Sequence, residues 1–99
     1  MQDSDWRKRL SEAVEKSDKS MRAISIAAGN GHGYVHSVLK EGKDPTVDNL
    51  IRICGVLDVS LTHILYGVDM TAETEEIIRL IEGNPQRRAG ILQILKENS

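Results

Sequence analysis

Apolar residues recur along this chain at helical spacing. After Ser4, a usable N-cap, Trp6, Leu10, Ala13 and Val14 fall at i, i+4, i+7 and i+8, which predicts a first helix running to about Lys16. Ser20 caps a second helix whose inner face is Ile24, Ala27 and Ala28, and Gly29 stops it. A third helix, roughly Gly33 to Glu41, turns Val35, Val38 and Leu39 inward before Gly42 and Pro45 end it. Thr46 caps a fourth, with Asp48 in the first turn, where the helix dipole favours a carboxylate, and with Val47, Leu50, Ile51, Cys54 and Leu57 as its apolar face. Ser60 caps a short fifth helix carrying Leu61, Ile64 and Leu65, closed by Gly67.

Beyond Gly67 the pattern changes. Thr71 opens a sixth helix with Glu73, Glu75 and Glu76 near its positive end, and Asn84-Pro85 starts a seventh, with Asn as N-cap and Pro at the first helical position. Ile77, Ile78, Leu80 and Ile81, then Ile91, Leu92, Ile94 and Leu95, form apolar arcs wider than a single stripe. No run alternates with period two between hairpin turns; "DVSLTHI" comes nearest, and its Ser and Thr read better as a cap. The expected fold is all-α, with Gly67 to Thr71 as the one internal seam, dividing residues 1–67 from a helical extension over 68–99.

Composition narrows the core. Ninety-nine residues with no Phe, one Trp and two Tyr must build it from Leu, Ile, Val and Ala, which favours helices packing closely on small residues. Cys54 is the sole cysteine, so no disulfide closes within the chain and a reducing compartment is expected. The charged first twenty residues lack the apolar run of a signal peptide, and no stretch approaches the ~18 apolar residues of a membrane span. A cytoplasmic protein with no membrane association is expected.

The net charge of −2 argues against nonspecific polyanion binding as the whole function, but its distribution is uneven. Between Lys19 and Arg52 five basic residues face three acidic ones, whereas from Asp69 onward four basic residues face six acidic ones. A mildly basic middle and an acidic tail fit one side turned toward a polyanion and one turned away.

The glycine-rich joint between the second and third helices carries the sharpest pattern. Counting Met21 as the first position, a helix-turn-helix needs apolar residues at the fourth, eighth, fifteenth and eighteenth, a small fifth and a glycine ninth. Ile24, Ala28, Val35, Val38, Ser25 and Gly29 meet all six requirements.

With those positions in place, the stretch resembles the lambda-repressor-like (Cro/C1-type, XRE) helix-turn-helix family. The likeness continues into "LIRICGVLDVSLTHILYG", Leu50 to Gly67, and covers about Trp6 to Gly67. Met21 stands where the family usually has Gln, Ser25 where Ala is usual, Asn30 at a commonly aliphatic position, and Leu39 where many members have Glu. The resemblance implies a five-helix domain, here with two extra C-terminal helices, whose third helix lies in the major groove.

By position, that implies base-edge contacts from His32, Gly33, Tyr34, His36 and Ser37, with glycines 31 and 33 letting the main chain approach the duplex. It implies phosphate contacts from Lys19, Met21, Arg22, Lys40, Lys43 and the start of the fourth helix at Thr46 and Asn49. The proposed reading face holds no Arg or Gln for bidentate base recognition, which shifts specificity toward His, Tyr and Ser contacts, water or DNA shape.

Other chemistries find little support. His32 and His36 are four apart, yet no CxxC or His-Glu arrangement joins them, so no metal is expected. "GNGHG" follows a helix and lacks the Lys-Ser/Thr of a phosphate loop. Cys54 lies on an apolar face as a structural thiol, and Ser25 and Ser37 lack catalytic partners, so neither an enzyme nor a cofactor is expected.

The expectation is a sequence-specific, double-stranded-DNA-binding transcriptional regulator, similar to phage-type repressors. It would act as a homodimer on a palindromic operator with half-sites ~34 Å apart. Ile77, Ile78, Ile81, Ile91, Leu92 and Leu95 are the dimerisation candidates. Many phage repressors carry a self-cleaving peptidase half with a Ser–Lys pair; this chain ends before such a half would fit, so induction by self-cleavage is not expected. The alternative is a protein-interaction module, an antitoxin or adaptor, holding a partner with the C-terminal helices.

Overall fold

The five short helices between Trp6 and Tyr66 each carry an apolar stripe, and together they share one aliphatic core. In the computed structural model, which describes residues 5–97, these are α1 (Trp6–Lys16), α2 (Met21–Ala27), α3 (Tyr34–Lys40), α4 (Val47–Leu57) and α5 (Leu61–Tyr66). Two more follow, α6 (Ala72–Glu82) and α7 (Pro85–Glu97), and the described residues contain no strand. The described chain forms two compact units, one ending at Asp69 and the other beginning at Met70.

Four of the caps read from the sequence form the expected bonds. The hydroxyls of Ser20, Thr46, Ser60 and Thr71 accept the backbone N–H groups of Ala23, Asn49, His63 and Thr74. The Ser4 cap lies outside the described residues. At the seventh helix Pro85 is the first helical residue, but Asn84 donates its side-chain amide back to the Leu80 carbonyl at 2.8 Å, closing the helix before it.

The core of the first unit is Leu10 and Val14 from α1, Ile24 and Ala28 at α2, Val35 and Val38 from α3, Leu50, Ile53 and Cys54 from α4, and Ile64 from α5. Trp6, Met21, Tyr34 and Leu39 pack against its edge. α1 packs on α3 and α5, α2 on α3 and α4, and α4 on α5. Branched and small residues let the axes approach closely, as the absence of Phe requires.

Two expectations are corrected. Ala27 is exposed, and its place on the inner face of α2 is taken by Ser25, which is fully buried because its hydroxyl is fully bonded. On α4 the buried stripe is Leu50, Ile53 and Cys54, with Leu57 half-buried; Val47 and Ile51 are exposed. Val47 lies in the first turn, beyond the rim of the core, and Ile51 is turned ~100° around the helix from Leu50. α3 runs from Tyr34 to Lys40 with Gly33 as its N-cap and Glu41 as its C-cap, within the bounds expected from the sequence.

A seven-residue helix is too short to hold itself together in water. α3 is held from outside. At its start the Ser25 hydroxyl donates to the Met21 carbonyl at 2.7 Å and accepts the buried Val35 N–H at 3.0 Å, one of the amides that a helix N-terminus leaves without an internal partner. At its end Arg7 of α1 donates from Nε to the Val38 carbonyl at 3.0 Å, and from Nη2 to the Lys43 carbonyl at 2.8 Å and the Asp44 carboxylate at 2.9 Å.

Replacing Ser25 by Ala therefore strands a buried amide, at an expected cost of about 1–3 kcal/mol. Urea unfolding of S25A measures it. A midpoint equal to that of the parent chain would show that the Val35 amide finds another partner.

Candidate nucleic-acid interface

Anchoring α3 at both ends decides which of its side chains leave the protein surface. Val35 and Val38 are fully buried, so the opposite side of the helix projects outward. His32, Gly33, His36 and Lys40 are exposed, and Ser37 and Leu39 are half-buried. The preceding turn is built by Gly29, whose φ of +84° places it in the left-handed region that a side chain disfavours. Its backbone is tied back where the Asn30 N–H donates to the Ser25 carbonyl at 2.9 Å and the Tyr34 N–H to the Gly31 carbonyl at 3.1 Å.

Gly31 and Gly33 are different in kind. Neither has a positive φ, and a Cβ at either would meet no atom within 4 Å. Steric crowding does not demand glycine at either position, and at Gly33 a missing side chain also suits the N-cap of α3.

Tyr34 is half-buried and belongs to a network that runs toward α4. The Asn49 side-chain amide donates to the phenol oxygen at 3.0 Å, the Arg52 guanidinium donates to the Asn49 side-chain oxygen, and Arg52 Nε donates to the Ala28 carbonyl at 3.0 Å. Lys43 Nζ lies 5.2 Å from the centroid of the Tyr34 ring, within cation–π range. The ring is thereby held at the edge of the α3 surface, with its hydroxyl hydrogen still available for donation.

The sequence-derived phosphate candidates separate into groups. Arg22 and Lys40 are exposed, while Lys43 leans over Tyr34 and the Lys19 ammonium is 3.8 Å from the Asp18 carboxylate. Met21 is half-buried against the core; its thioether offers no donor, so only its backbone can serve a phosphate. Thr46 uses its hydroxyl on the Asn49 N–H at 3.1 Å, and Asn49 uses its side chain on Tyr34 and Arg52. What the start of α4 offers an anion is its first backbone amides and dipole.

His36 Nδ1 lies 3.8 Å from a Glu41 carboxylate oxygen near the far end of α3, with both side chains exposed to solvent. Among the described residues no group of three or more His, Cys, Asp or Glu side chains is placed to hold a metal ion, and no helix is long and apolar enough to cross a membrane.

Arg7, Arg9 and Arg52 are what the sequence reading missed. Arg9 donates from Nε to the Ile64 carbonyl and from Nη2 to the Leu65 carbonyl, each at 2.7 Å, so that the three arginines bind carbonyls at the ends of α3, α5 and α2 respectively. Only the i, i+3 pairing of Asn49 with Arg52 was visible as local spacing.

Cys54 is buried, and desolvation raises its thiol pKa above the ordinary value. Because the thiolate is the reacting form, alkylation by iodoacetamide at pH 8 should be slow in the folded chain and fast in denaturant. Equal rates in both conditions would contradict a closed core around α4.

Comparisons with protein-family models, with characterised proteins and with solved structures return no match to this chain.

Proposed function

We infer that this chain is a sequence-specific DNA-binding transcriptional regulator, without enzymatic activity. Its first five helices take a lambda-repressor-like helix-turn-helix arrangement and α3 enters the major groove. The observation that carries this reading is the two-sided character of α3. Its apolar side is locked into the core while His32, His36 and Lys40 stand exposed beside Gly31 and Gly33, where the main chain borders open space.

The chemistry divides along the helix. His32, His36 and Ser37 supply donors and acceptors to base edges, and Tyr34, steadied by Asn49, supplies a rigid amphipathic ring at the groove wall. Gly31 and Gly33 bring main chain close to the duplex. Lys40, Arg22 and Lys43 meet phosphates, joined by the amides at the start of α4. With no Arg or Gln on the reading face, base discrimination rests on single contacts and on DNA shape.

Selection of bound duplexes from a random pool at low salt should enrich one sequence. Its affinity should fall linearly on a log–log plot against salt, with a slope of about 0.9 per phosphate neutralised. Enrichment of no sequence sinks the proposal.

Lys40→Ala should weaken all duplexes alike and flatten the salt slope by about one unit, whereas Ser37→Ala should change the preferred bases.

Gly33→Ala separates function from fold. Since the added methyl meets open space, stability should change by less than about 1 kcal/mol, while DNA affinity should drop as the backbone is pushed from the duplex. Affinity unchanged in G33A would remove the close-approach role.

A further inference from the structure

The first unit holds a cleft lined by none of the residues on the exposed face of α3. It opens where the second half of α1 passes the joint between α4 and α5, and its volume is about 230 Å³. Ala13, Leu57 and Val59, all half-buried, give it an apolar floor. Leu57 is the last residue of α4, and the Val59 N–H donates to the Cys54 carbonyl at 3.0 Å, which fixes the joint.

The polar groups around that floor differ in what they have left to give. Arg9 donates to the Ile64 and Leu65 carbonyls, each at 2.7 Å, and the Ser17 hydroxyl donates to the Val14 carbonyl at 2.8 Å. Glu12 and Lys16 are exposed on the α1 lip, and neither makes an ion pair with another described residue. Across from them, His63 Nδ1 lies 3.7 Å from the Asp69 carboxylate. The carboxylate favours the proton on that nitrogen and leaves Nε2 of the neutral ring as an acceptor.

Glu12 and Lys16 standing apart is informative. Glu four residues before Lys is the favourable order for a pair across one helical turn. On α6 a pair of the same spacing is closed, Glu75 with Arg79 at 3.2 Å. On α1 the two charges stay separate and border one apolar floor.

The occupant that suits this arrangement carries both charges close together, beside an apolar group. An alkanoic acid would meet Lys16 and set its carboxylate against Glu12; an alkylamine would meet Glu12 and set its ammonium against Lys16. A free α-amino acid meets both, because its two charged groups leave one carbon and the Cα atoms of residues four apart are only ~6 Å apart along the helix. In a peptide the two termini are separated by the intervening residues. The volume is below the ~300–1,000 Å³ of sites for drug-sized ligands, which limits the occupant to roughly ten non-hydrogen atoms.

We propose that this cleft is a binding site for a free aliphatic α-amino acid of about the size of leucine. Lys16 holds the carboxylate, Glu12 and His63 Nε2 hold the ammonium, and the branched side chain lies on Ala13, Leu57 and Val59. Because Glu12 and Lys16 are exposed, each contact is weak and the dissociation constant falls at about 0.1–10 mM. No nucleic acid enters this association, so it stands or falls apart from the DNA reading.

Titration of the full chain, free of DNA, with L-leucine is the test, followed by NMR of the backbone amides. Saturable shifts centred on Ala13, Lys16, Val59 and His63 are expected. Isocaproate, which lacks the ammonium, leucinamide, which lacks the carboxylate, and L-serine, which lacks the apolar group, should each bind at least about fivefold more weakly. Glu12→Gln and Lys16→Gln should each weaken leucine by roughly threefold to tenfold, while Cys54 stays protected from alkylation as in the folded parent chain.

Several results overturn the proposal. They are no saturation at tens of millimolar leucine, shifts centred elsewhere in the chain, any of the three analogues binding as tightly as leucine, or Gln variants that bind leucine as the parent chain does.

Discussion

The Ser25 hydroxyl, donating to one helix and accepting from the next, is the constraint on which the rest of the first unit depends. It bonds the Met21 carbonyl within α2 and the buried Val35 amide of α3. An alanine would satisfy the steric demand of the helix crossing equally well and leave the amide unbonded. The serine converts a close crossing into a fixed one. Because Val35 is the second residue of α3, this bond sets where the helix begins, and hence how the Gly31–Gly33 segment and the exposed side chains of α3 are presented. With Arg7 holding the far end through the Val38 carbonyl, the helix has little freedom to shift or fray. On the proposed function that rigidity matters, because a reading helix that moved by an ångström would lose the single hydrogen bonds on which its discrimination rests.

Arginine usage follows from the same economy. A protein built of short helices exposes many terminal carbonyls, since each helix end leaves several without partners. Arg7, Arg9 and Arg52 meet that demand, each reaching the end of a helix other than its own. Charges that would count toward a polyanion-binding surface are thereby committed to internal bonding, and Arg7 is further neutralised by Asp44 at 2.9 Å. What is left near α3 is a small set of cations, Arg22, Lys40 and Lys43, on a chain of net charge −2. On the proposed function, a weak general field with a shaped polar face would favour discrimination between duplexes over indiscriminate attraction to them.

Local signals carried most of the fold. Caps at Ser20, Thr46, Ser60 and Thr71, and the stops at Gly29, Gly42 and Gly67, were legible because each acts within four residues of itself. Periodicity identified the buried members of α1 and α3 but misplaced Ala27, Val47 and Ile51. It reports the direction of a side chain and cannot report where the core ends, or that a bonded serine can replace an alanine inside it. The α3 surface was legible in its residues. Its supports were not: Arg7 reaches a carbonyl 31 residues away and Arg9 reaches carbonyls 55 and 56 residues away, separations at which no pattern in a single sequence distinguishes a bonding arginine from a solvated one. The role of Asn49 lay between these cases, suggested by position as a phosphate contact and found bonded to Tyr34.

The two units resolve the same difficulty in different ways. Helices of six to thirteen residues are individually marginal, and their stability has to come from what they pack against. The first unit encloses ten buried apolar side chains and uses long-range hydrogen bonds to finish its helix ends, so its exposed polar face is free for another molecule. Among the described residues, the second unit has a capped helix, two internal ion pairs and no buried side chain. Ordering that segment costs as much backbone entropy per residue as ordering the first, and its internal contacts return far less. The apolar side chains of α6 and α7 therefore stay largely exposed, whereas those of the first unit close over one another.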